Sequence, residues 1–414
     1  MDGDTARLLL AEGLDLLAEL GPYDEASALT IGTRLRAAHD PALVAAVLAQ
    51  AELRQRARSK FGESAHAMLF TRDGLEQATR ADVADRHAAR FASAGIGAAG
   101  NGAPGSGTVH DLGCGLGADA LAFARAGLAV DAVDADEATA LLAHHNLTTL
   151  HPDAAAGARH ARAQDVDLAG AQGVWLDPAR RTPGRTDATG RTRRTFRLDE
   201  LAPSWEFVCA AAERVPATGA KLSPAFPHAS IPPGCEAEWV STGGDLVECA
   251  MWWGPLAQHP GRVATLLRDG AEAVRLTEAD AADAPPAGEL DPTAGGYVYE
   301  PDLAVLQAGL VGALAAAVDG SELSPGVGYV AAERAADVPF ARRHQVVEVL
   351  PAQAKAVKGW LRREGITGLT IKRRGGRLDP DEFRRKLGLS TRGGDQATLL
   401  LTVGPSGPLA LVLS

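Results

Sequence analysis

A glycine-rich turn between an apolar segment and a helix-forming segment constrains the fold of this chain more than any other feature. Thr108–His110 has the composition of a strand, residues 111–117 read Asp-Leu-Gly-Cys-Gly-Leu-Gly, and Ala118–Ala126 is typical of a helix that ends at Gly127. Glycines at alternate positions permit positive φ angles and let a ligand approach the backbone. The helix N-terminus adds unpaired N–H groups. We therefore expect a strand, turn and helix that bind a ligand at the carboxyl edge of a sheet.

The segments after this turn continue to alternate between strand and helix. Strands are predicted at Ala129–Val133, Gly173–Leu176 and Lys221–Leu222, and a helix at Glu137–Leu150. Such alternation is the pattern of a parallel, doubly wound sheet, because each crossover helix packs on a face of the sheet. The predicted fold class is α/β, with a Rossmann-like sheet.

Changes in composition divide the chain, whose 414 residues exceed one ordinary domain. Residues 1–93 are predicted to be a helical N-terminal region, 94–107 a Gly-rich linker, 108–335 the α/β domain and 340–414 a small α+β domain. Within the α/β domain, the apolar segment Pro301–Val318 is predicted to be helical. The last domain has predicted strands at Val346–Val349, Leu369–Ile371, Ala397–Val403 and Leu409–Leu413, and predicted helices at Ala354–Glu364 and Pro380–Leu387.

Composition and charge exclude several classes of protein. Hydrophobic residues make up 46% of the chain and charged residues 22%, as in soluble globular proteins. The acidic start Met1–Asp4 does not have the basic residues of a signal peptide, and no apolar run approaches the ~20 residues of a membrane span. The four cysteines form no C-x-x-C pair and have no histidine cluster at zinc spacing. We expect a cytoplasmic protein without a metal site, in which a net charge of −11 leaves nucleic-acid binding to a local basic face.

Two cofactor classes fit the glycine-rich turn. Gly113, Gly115 and Ala118 satisfy the G-x-G-x-x-A pattern of dinucleotide-binding folds. Asp111 stands before the first glycine, where an acid can hold the amino group of S-adenosylmethionine, and Gly117 completes a denser Asp-x-Gly-x-Gly-x-Gly form. We therefore expect Asp111, Gly113, Gly115 and Gly117 to bind S-adenosylmethionine. The alternatives are a nicotinamide or flavin dinucleotide, and a glycine turn without a ligand.

Two further acids are predicted to contact the same cofactor. Asp134 ends the second strand, where a carboxylate can accept hydrogen bonds from both ribose hydroxyls. Asp136 and Glu137 follow it, and the alternative is that Asp134 only caps the next helix. Asp165 falls where the third strand should end, a position at which an acid often receives the adenine amino group. The alternative for Asp165 is a solvated carboxylate.

The segment Asp177-Pro178-Ala179-Arg180 is the predicted catalytic element. The apolar strand before it delivers Asp177 and Pro178 to the carboxyl edge of the sheet, where open α/β folds place their chemistry. The position resembles the Asn/Asp-Pro-Pro-aromatic motif of amino methyltransferases, in which side-chain and backbone oxygens align the target amine. Ala179 replaces the second proline and Arg180 the aromatic ring. Since arginine can stack on a base or bind phosphate, a nucleic-acid substrate is compatible with this segment. The alternative is a strand-ending Asp-Pro turn with solvated arginines.

A basic loop follows the catalytic element. Arg181 is predicted to bind substrate, and the loop also contains Arg185, Arg191, Arg193, Arg194 and Arg197. Positive charge beside a pocket suits an anionic substrate. A solvated surface loop is the alternative.

Taken together, these segments resemble bacterial class I S-adenosylmethionine-dependent methyltransferases that carry a C-terminal THUMP-like domain. The resemblance covers most of the chain from about residue 56. It rests on Arg58–Phe61, Gly74–Thr79, His110–Gly117, Asp177–Arg181, Tyr299–Pro301, Lys372–Gly375 and Gly394–Thr398. It implies a methyltransferase, and because THUMP domains as a class bind RNA, it implies ribosomal or transfer RNA as partner.

A fainter similarity to trimethylguanosine synthases concerns the segment before the cofactor loop. In those enzymes an acidic-Gly-x-x-x-x-Thr segment stands there, as Asp73-Gly74 and Thr79 do here. The similarity implies a guanine amine in RNA as target and Thr79 as a substrate-binding residue. Asp177-Pro178-Ala179 departs from the Pro-Pro-Trp of that family.

The C-terminal domain concentrates basic residues in a chain that is acidic overall. Arg373 and Arg374 are predicted to contact RNA phosphates, with a solvated basic surface as the alternative. Three functions remain open: an RNA base methyltransferase, a small-molecule or protein methyltransferase, and a non-catalytic RNA-binding protein that keeps the cofactor fold. The basic domain favours the first over the second, and Asp177 argues against the third.

Overall fold

The computed structural model describes residues 1–21, 24–96, 108–180, 198–268, 270–281, 296–389, 396–404 and 407–414. The chain forms two compact units: Met1–Leu222 with Met251–Gln258, and Ser223–Ala250 with His259–Ser414. Most of the predicted linker 94–107 and the basic loop 181–197 lie outside the described residues. Within the described residues, no helix has the length and apolar character needed to cross a bilayer.

The first unit begins with helices, as predicted for residues 1–93. They are α1 (Gly3–Leu8), α2 (Leu14–Glu19), α3 (Glu25–Arg36), α4 (Pro41–Phe61), α5 (Arg72–Gln77) and α6 (Ala81–Ser93). Asp40 starts the long helix α4, because its carboxylate accepts hydrogen bonds from the Ala42 and Leu43 amides and Pro41 needs no such partner. This region packs on the sheet domain through Asn146, whose side chain hydrogen-bonds both backbone groups of Leu69.

The first unit contains a parallel sheet in the order β3-β2-β1-β4-β7. The elements of this part are β1 (Thr108–Leu112), α7 (Ala118–Arg125), β2 (Ala129–Asp134), α8 (Glu137–Leu150), β3 (Ala156–His160), β4 (Gly173–Leu176), β5 (Ala179–Arg180), β6 (Leu201–Ala202), α9 (Trp205–Arg214) and β7 (Ala217–Leu222). The strand order reverses between β1 and β4, and open α/β sheets bind ligands at such a switch point. The predicted Rossmann-like α/β class is confirmed.

Aromatic side chains fill the core behind this switch point. Trp175, on β4, lies 5.2 Å from Trp252 between ring centroids and packs against His87 and Phe91. A Cβ on Gly219 of the neighbouring strand would lie 2.7 Å from both indole rings, so only glycine fits there. This packing fixes β4, the strand that delivers Asp177.

The second unit begins with a smaller group of strands. They are β8 (Glu236–Thr242), β9 (Asp245–Trp252, whose last two residues belong to the first unit), β10 (Gly261–Leu267) and β11 (Val274–Thr277), followed by the short helix α10 (Glu278–Ala281). Strand β10 pairs with β8 in parallel and with β11 in antiparallel orientation. The unit therefore joins parallel and antiparallel pairing.

A seven-stranded sheet completes the second unit, in the order β13-β14-β12-β15-β18-β17-β16. Its elements are β12 (Gly296–Pro301), α11 (Leu303–Gln307), α12 (Val311–Ala317), β13 (Ser321–Glu322), β14 (Val330–Ala332), β15 (Ala341–Pro351), α13 (Ala354–Glu364), β16 (Gly368–Arg373), α14 (Pro380–Leu387), β17 (Gln396–Gly404) and β18 (Gly407–Leu413). Helices α13 and α14 bury Trp360 and Phe383 against one face of the sheet. The predicted α+β architecture is present.

Two features differ from the sequence prediction. The single helix expected over Pro301–Val318 is divided into α11 and α12, because Gly309 between them adopts a left-handed φ of 68°. The predicted boundary at residues 335–340 passes through the seven-stranded sheet, since β12 pairs with β15 from Gly296↔Val346 to Pro301↔Ala341. We propose that the C-terminal structural module begins near residue 296.

Candidate functional site

The cofactor loop has the backbone geometry that its glycines predict. Gly113, Gly115 and Gly117 have φ angles of 93°, 55° and 83°, in the left-handed region that favours glycine. The amides of Gly113 and Cys114 both donate to the Val133 carbonyl at 2.9 Å, which ties the loop to the end of β2. Gly117 then starts α7. The loop is thus held open at the carboxyl edge of the sheet.

The end of β4 touches this loop directly. A Cβ built on Gly113 would lie 2.8 Å from the backbone oxygen of Asp177, and the Asp177 amide donates to the Leu112 carbonyl at 3.2 Å. Asp177 therefore stands beside the first glycine of the loop. The structure brings together the predicted cofactor loop and the predicted catalytic aspartate.

Asp111 is a buried carboxylate without a hydrogen-bond partner among the described residues. Its side chain is 1% exposed and neither oxygen has a donor. Burial, followed by the nearby carboxylates of Asp119 and Asp177, raises the pKa of Asp111 well above its usual value. A buried carboxylate without a partner is costly. A cationic hydrogen-bond donor is the kind of ligand that would fit this position.

Asp134 holds the cofactor loop from the end of β2. Its Oδ2 accepts a hydrogen bond from the Gly115 amide at 3.0 Å, and its Oδ1 accepts one from the Asp136 amide at 2.9 Å. Burial raises the pKa of Asp134. The alternative role as a helix cap is wrong, because Asp136 is the residue that caps α8 through the Thr139 amide.

Asp165 differs from these acids because it lies in an exposed turn after β3. Strand β3 ends at His160, and Asp165 is the last residue of a short 3₁₀ turn, Ala163–Asp165. Its side chain is exposed and makes no hydrogen bond or ion pair with the described site residues. Its contact with adenine stays a prediction.

Lys221 is the residue of this site that the sequence prediction missed. It lies near the end of β7, which neighbours β4, and its Nζ is 2.5 Å from Oδ2 of Asp177. The side chain of Lys221 is only 15% exposed. One sequence signal was available: Lys60 and Lys221 are the only lysines before residue 355 of this arginine-rich chain.

Thr79 is buried in a hydrogen-bonded network. Its hydroxyl donates to Oδ2 of Asp119 at 2.7 Å and accepts from Nζ of Lys221 at 3.1 Å. The other oxygen of Asp119 accepts from Nδ1 of His87 at 2.7 Å. Burial alone would raise the pKa of Asp119, but the hydrogen bond and charge of His87 and the charge of Lys221 outweigh it, and this pKa is lowered. Substrate binding by Thr79 stays a prediction.

Lys60 holds the segment that contains Thr79. Its Nζ donates to the carbonyls of Leu75, Glu76 and Ala78 at 2.6, 2.8 and 3.0 Å. Burial, followed by the charges of Lys221 and Arg80, lowers the pKa of Lys60 to about 8. The preceding helix α5 packs on the cofactor loop, where a Cβ on Gly74 would meet Leu116 at 2.9 Å. Residues 74–79 thus form a wall beside the loop.

The rest of the predicted catalytic element is only partly described. Pro178 is buried, and Ala179 and Arg180 form β5, which pairs with β6 through Arg180↔Leu201. The side chain of Arg180 and all of Arg181 lie outside the described residues, as does the basic loop that follows.

Several basic residues of the C-terminal domain have internal partners. Lys372 and His344 both contact the carboxylate of Glu300, and Arg374 is half-buried. The other internal contacts join Arg363 to Glu348 and Glu364, Lys386 to Glu382, and Arg384 to the Leu369 carbonyl. Arg373 is exposed, together with Lys355, Arg362, Arg377 and Arg385.

The fold and the loop define a class I methyltransferase architecture, and comparisons with known proteins agree. Residues 341–414 match the THUMP domain-like family, and residues 3–57 match a domain of unknown function, DUF8688. Two Mycobacterium tuberculosis proteins, from strains CDC 1551 and H37Rv, are 29% identical over 373 residues, which cover 87% of this chain and 93% of theirs. Both carry the name "uncharacterized S-adenosylmethionine-dependent methyltransferase".

A solved structure shows the same fold over almost the whole chain. The crystal structure of a candidate methyltransferase from Porphyromonas gingivalis W83 superposes with a TM-score of 0.70 at 22% identity, covering 95% of this chain and 98% of that one. Over most of its length the chain is thus similar to proteins named as S-adenosylmethionine-dependent methyltransferases, and its C-terminal residues match the THUMP domain-like family. This similarity selects S-adenosylmethionine over a dinucleotide as the cofactor of the loop.

Proposed function

We propose that this methyltransferase methylates an amino nitrogen of a base in ribosomal or transfer RNA, with Asp177 at the reacting centre. The observation that carries the proposal is the contact between Gly113 of the cofactor loop and the backbone of Asp177. An acceptor held by Asp177 would therefore lie next to the methyl donor. Alignment of this kind supplies most of the catalysis, because S-adenosylmethionine brings an already activated methyl group.

The described residues fit the cofactor. Asp111, buried and without a donor, would accept hydrogen bonds from its amino group, and Asp134 would accept them from its ribose hydroxyls. No described atom lies within 4 Å of a Cβ built on Gly115, so the backbone there is open to a ligand. We also propose that Asp165 accepts a hydrogen bond from the adenine amino group of the cofactor.

The acceptor side depends on oxygen atoms at the end of β4. The Asp177 carboxylate would accept an N–H of the target amine, which directs the nitrogen lone pair away from the carboxylate and toward the methyl donor. Pro178 removes a backbone donor at this point and fixes the chain that carries Asp177. Arg180 and Arg181 would contact the base or its phosphate.

The C-terminal domain supports RNA as the substrate. The exposed cations of α13 and α14 can neutralise phosphates, while the internally paired ones contribute less. Arg373 remains among the proposed RNA contacts because it is exposed, whereas Arg374 is half-buried. A small-molecule substrate does not need such a basic surface, and a non-catalytic RNA-binding protein does not need the cofactor site.

The first experiment identifies the methylated nucleoside. Nucleosides of RNA from cells with and without the protein are compared by mass spectrometry, and the knockout is complemented with wild type or Asp177→Ala. We expect one methylated base to disappear in the knockout and to return only with wild type. A loss of about 10²-fold in turnover with normal cofactor binding fits a positioning role for Asp177. An unchanged nucleoside profile would favour a small-molecule or protein substrate.

The second experiment tests the basic surface. Arg362→Glu with Arg385→Glu changes two exposed cations of α13 and α14, and Arg34→Glu with Arg36→Glu makes the same charge change on exposed residues of α3. We expect the first pair to weaken RNA binding and to reduce the slope of log K against log salt by about 0.7–0.9 for each phosphate that the variant no longer neutralises. The second pair and cofactor affinity should show little change. Equal effects of both pairs would exclude a specific basic surface.

A further inference from the structure

We propose that Lys221 is a positioning residue that fixes the carboxylate of Asp177 in the orientation needed for the acceptor. The proposal rests on the proposed function of Asp177. Lys221 itself would not touch the cofactor or the reacting nitrogen. Its role would be to set the plane of the Asp177 carboxylate and to keep that group ionised.

The geometry of the ammonium group supports this assignment. A lysine ammonium has three donors, and Lys221 directs them to three oxygens: Oδ2 of Asp177 at 2.5 Å, Oγ1 of Thr79 at 3.1 Å and the Gln77 carbonyl at 3.4 Å. The ammonium is thus anchored on two sides by the wall segment and points its third side at Asp177. Because β7 and β4 are adjacent parallel strands, both side chains emerge at the same edge of the sheet.

The hydrogen bonds that hold Thr79 and Asp119 also have fixed donors and acceptors. Thr79 gives its only hydroxyl proton to Asp119, so its oxygen can serve Lys221 only as an acceptor. Asp119 is fixed in turn by His87, whose ring lies 4.3 Å from that of Trp175. A chain of hydrogen bonds therefore runs from the aromatic core beneath β4 to the carboxylate at its end. Such support is what a catalytic group needs, since misplacement by about 1 Å can cost 10²-fold in rate.

The surrounding charges give Lys221 a second effect. Its charge opposes the rise in the pKa of Asp111 and helps to lower the pKa of Asp119, while Asp177 is its direct partner. An ammonium next to a carboxylate favours the ionised form. Without Lys221 the ionised form of Asp177 would be less favoured, and a protonated carboxyl is a weaker acceptor for the amine N–H than a carboxylate.

The experiment compares wild type with Lys221→Met and Lys221→Arg. Methyl incorporation from tritiated S-adenosylmethionine is measured on RNA from cells that do not contain the protein, from pH 5.5 to 9. We expect kcat of Lys221→Met to fall about 10²-fold and the acid limb of its pH profile to move to higher pH. Lys221→Arg should restore the acid limb, because the positive charge returns, and should recover part of the wild-type kcat. Cofactor affinity, measured by calorimetry, should be retained or increase, since one positive charge leaves an acidic pocket.

Two controls separate this role from simple structural support. Lys60→Met removes the other lysine that donates to the wall segment, does not touch Asp177, and should lower the melting temperature without moving the acid limb of the pH profile. Thr79→Val keeps the charge of Lys221 but removes one anchor, and should lower kcat with the acid limb unchanged. This variant also serves if Lys221→Met does not fold.

The outcomes distinguish the two proposals. If Asp177→Ala keeps wild-type activity, the proposed function of Asp177 fails. If Asp177→Ala is inactive while folded Lys221→Met keeps both kcat and the wild-type pH profile, the positioning role is refuted and the proposed function stands. If Lys221→Met does not fold and Thr79→Val keeps wild-type kcat, the positioning role is likewise refuted.

Discussion

Replacing Asp111 by asparagine should change the free energy of unfolding and the cofactor affinity in opposite directions. The buried carboxylate has no donor among the described residues, and its pKa is raised, chiefly by burial. A folded-state pKa above the unfolded value of 3.8 means that the folded protein binds the proton more tightly. The contribution of Asp111 to stability is therefore full below pH 3.8 and is lost as the pH rises toward the folded value.

The size of this effect follows from proton linkage. One proton bound differently in the two states gives a slope of at most about 1.4 kcal/mol per pH unit. Asparagine does not titrate, so the variant should not have this decline. It should match wild type near pH 4 and be more stable by about 1–3 kcal/mol near pH 8, the usual cost of an unsatisfied buried polar group.

Cofactor binding should respond in the other direction. A hydrogen bond between a carboxylate and an ammonium contributes about 1.5–3 kcal/mol, which corresponds to roughly ten- to hundredfold in Kd. Urea unfolding between pH 4 and 8 measures the first effect, and calorimetric titration with S-adenosylmethionine measures the second. Asp153→Asn, on an exposed aspartate of the same unit, is the control. Lower stability of Asp111→Asn at pH 8, or unchanged cofactor affinity, would refute the assignment of Asp111.

Two further substitutions test the loop and the C-terminal sheet. Gly113→Ala should lower the free energy of unfolding by about 2–5 kcal/mol and abolish methyl transfer, because backbone strain in the left-handed region adds to a collision with the Asp177 carbonyl. The control in the same unfolding assay is Gly127→Ala, which has a φ of 80° and no neighbour within 4 Å and therefore measures the strain alone. Hydrogen bonds to Glu300, chiefly from His344 and then from Lys372, lower the pKa of Glu300 to about 2. Glu300→Gln should therefore lower the free energy of unfolding by about 1.5–3 kcal/mol at pH 7. That difference should shrink as the pH falls from 4.5 to about 2. Unfolding at pH 7 and pH 3 checks it, with Glu333→Gln as the exposed control.

Local signals predicted much of the fold. Helices α8, α13 and α14 and strand β4 have the bounds that the sequence indicates. Each helix begins or ends where a local rule applies: Asp136 and Asp379 cap α8 and α14, and Gly365 and Gly388 terminate α13 and α14 in the left-handed conformation. Such rules depend on a few neighbouring residues, so one sequence is sufficient to apply them.

Long-range pairing was less accessible to sequence analysis. Nothing within residues 296–301 indicates that their partner is β15, since an alternating strand can pair with any edge of suitable register. Lys221 was recognised only as part of a strand for the same reason. Its importance depends on Asp177, which is distant in sequence and adjacent only because β4 and β7 are neighbours.

The distribution of charge links the cofactor and the substrate proposals. The carboxylates of Asp111, Asp119, Asp134 and Asp177 lie near the loop, and Lys221 is a cation that acts on Asp111, Asp119 and Asp177. Such a site favours a cationic ligand such as S-adenosylmethionine and would repel RNA phosphates. A polyanionic substrate must then be bound mainly by residues outside the cofactor pocket, where phosphates can meet exposed cations. The proposal therefore requires that raising the salt concentration weakens RNA binding while leaving the affinity for S-adenosylmethionine nearly unchanged, because charges in a buried site are screened much less than those at the surface.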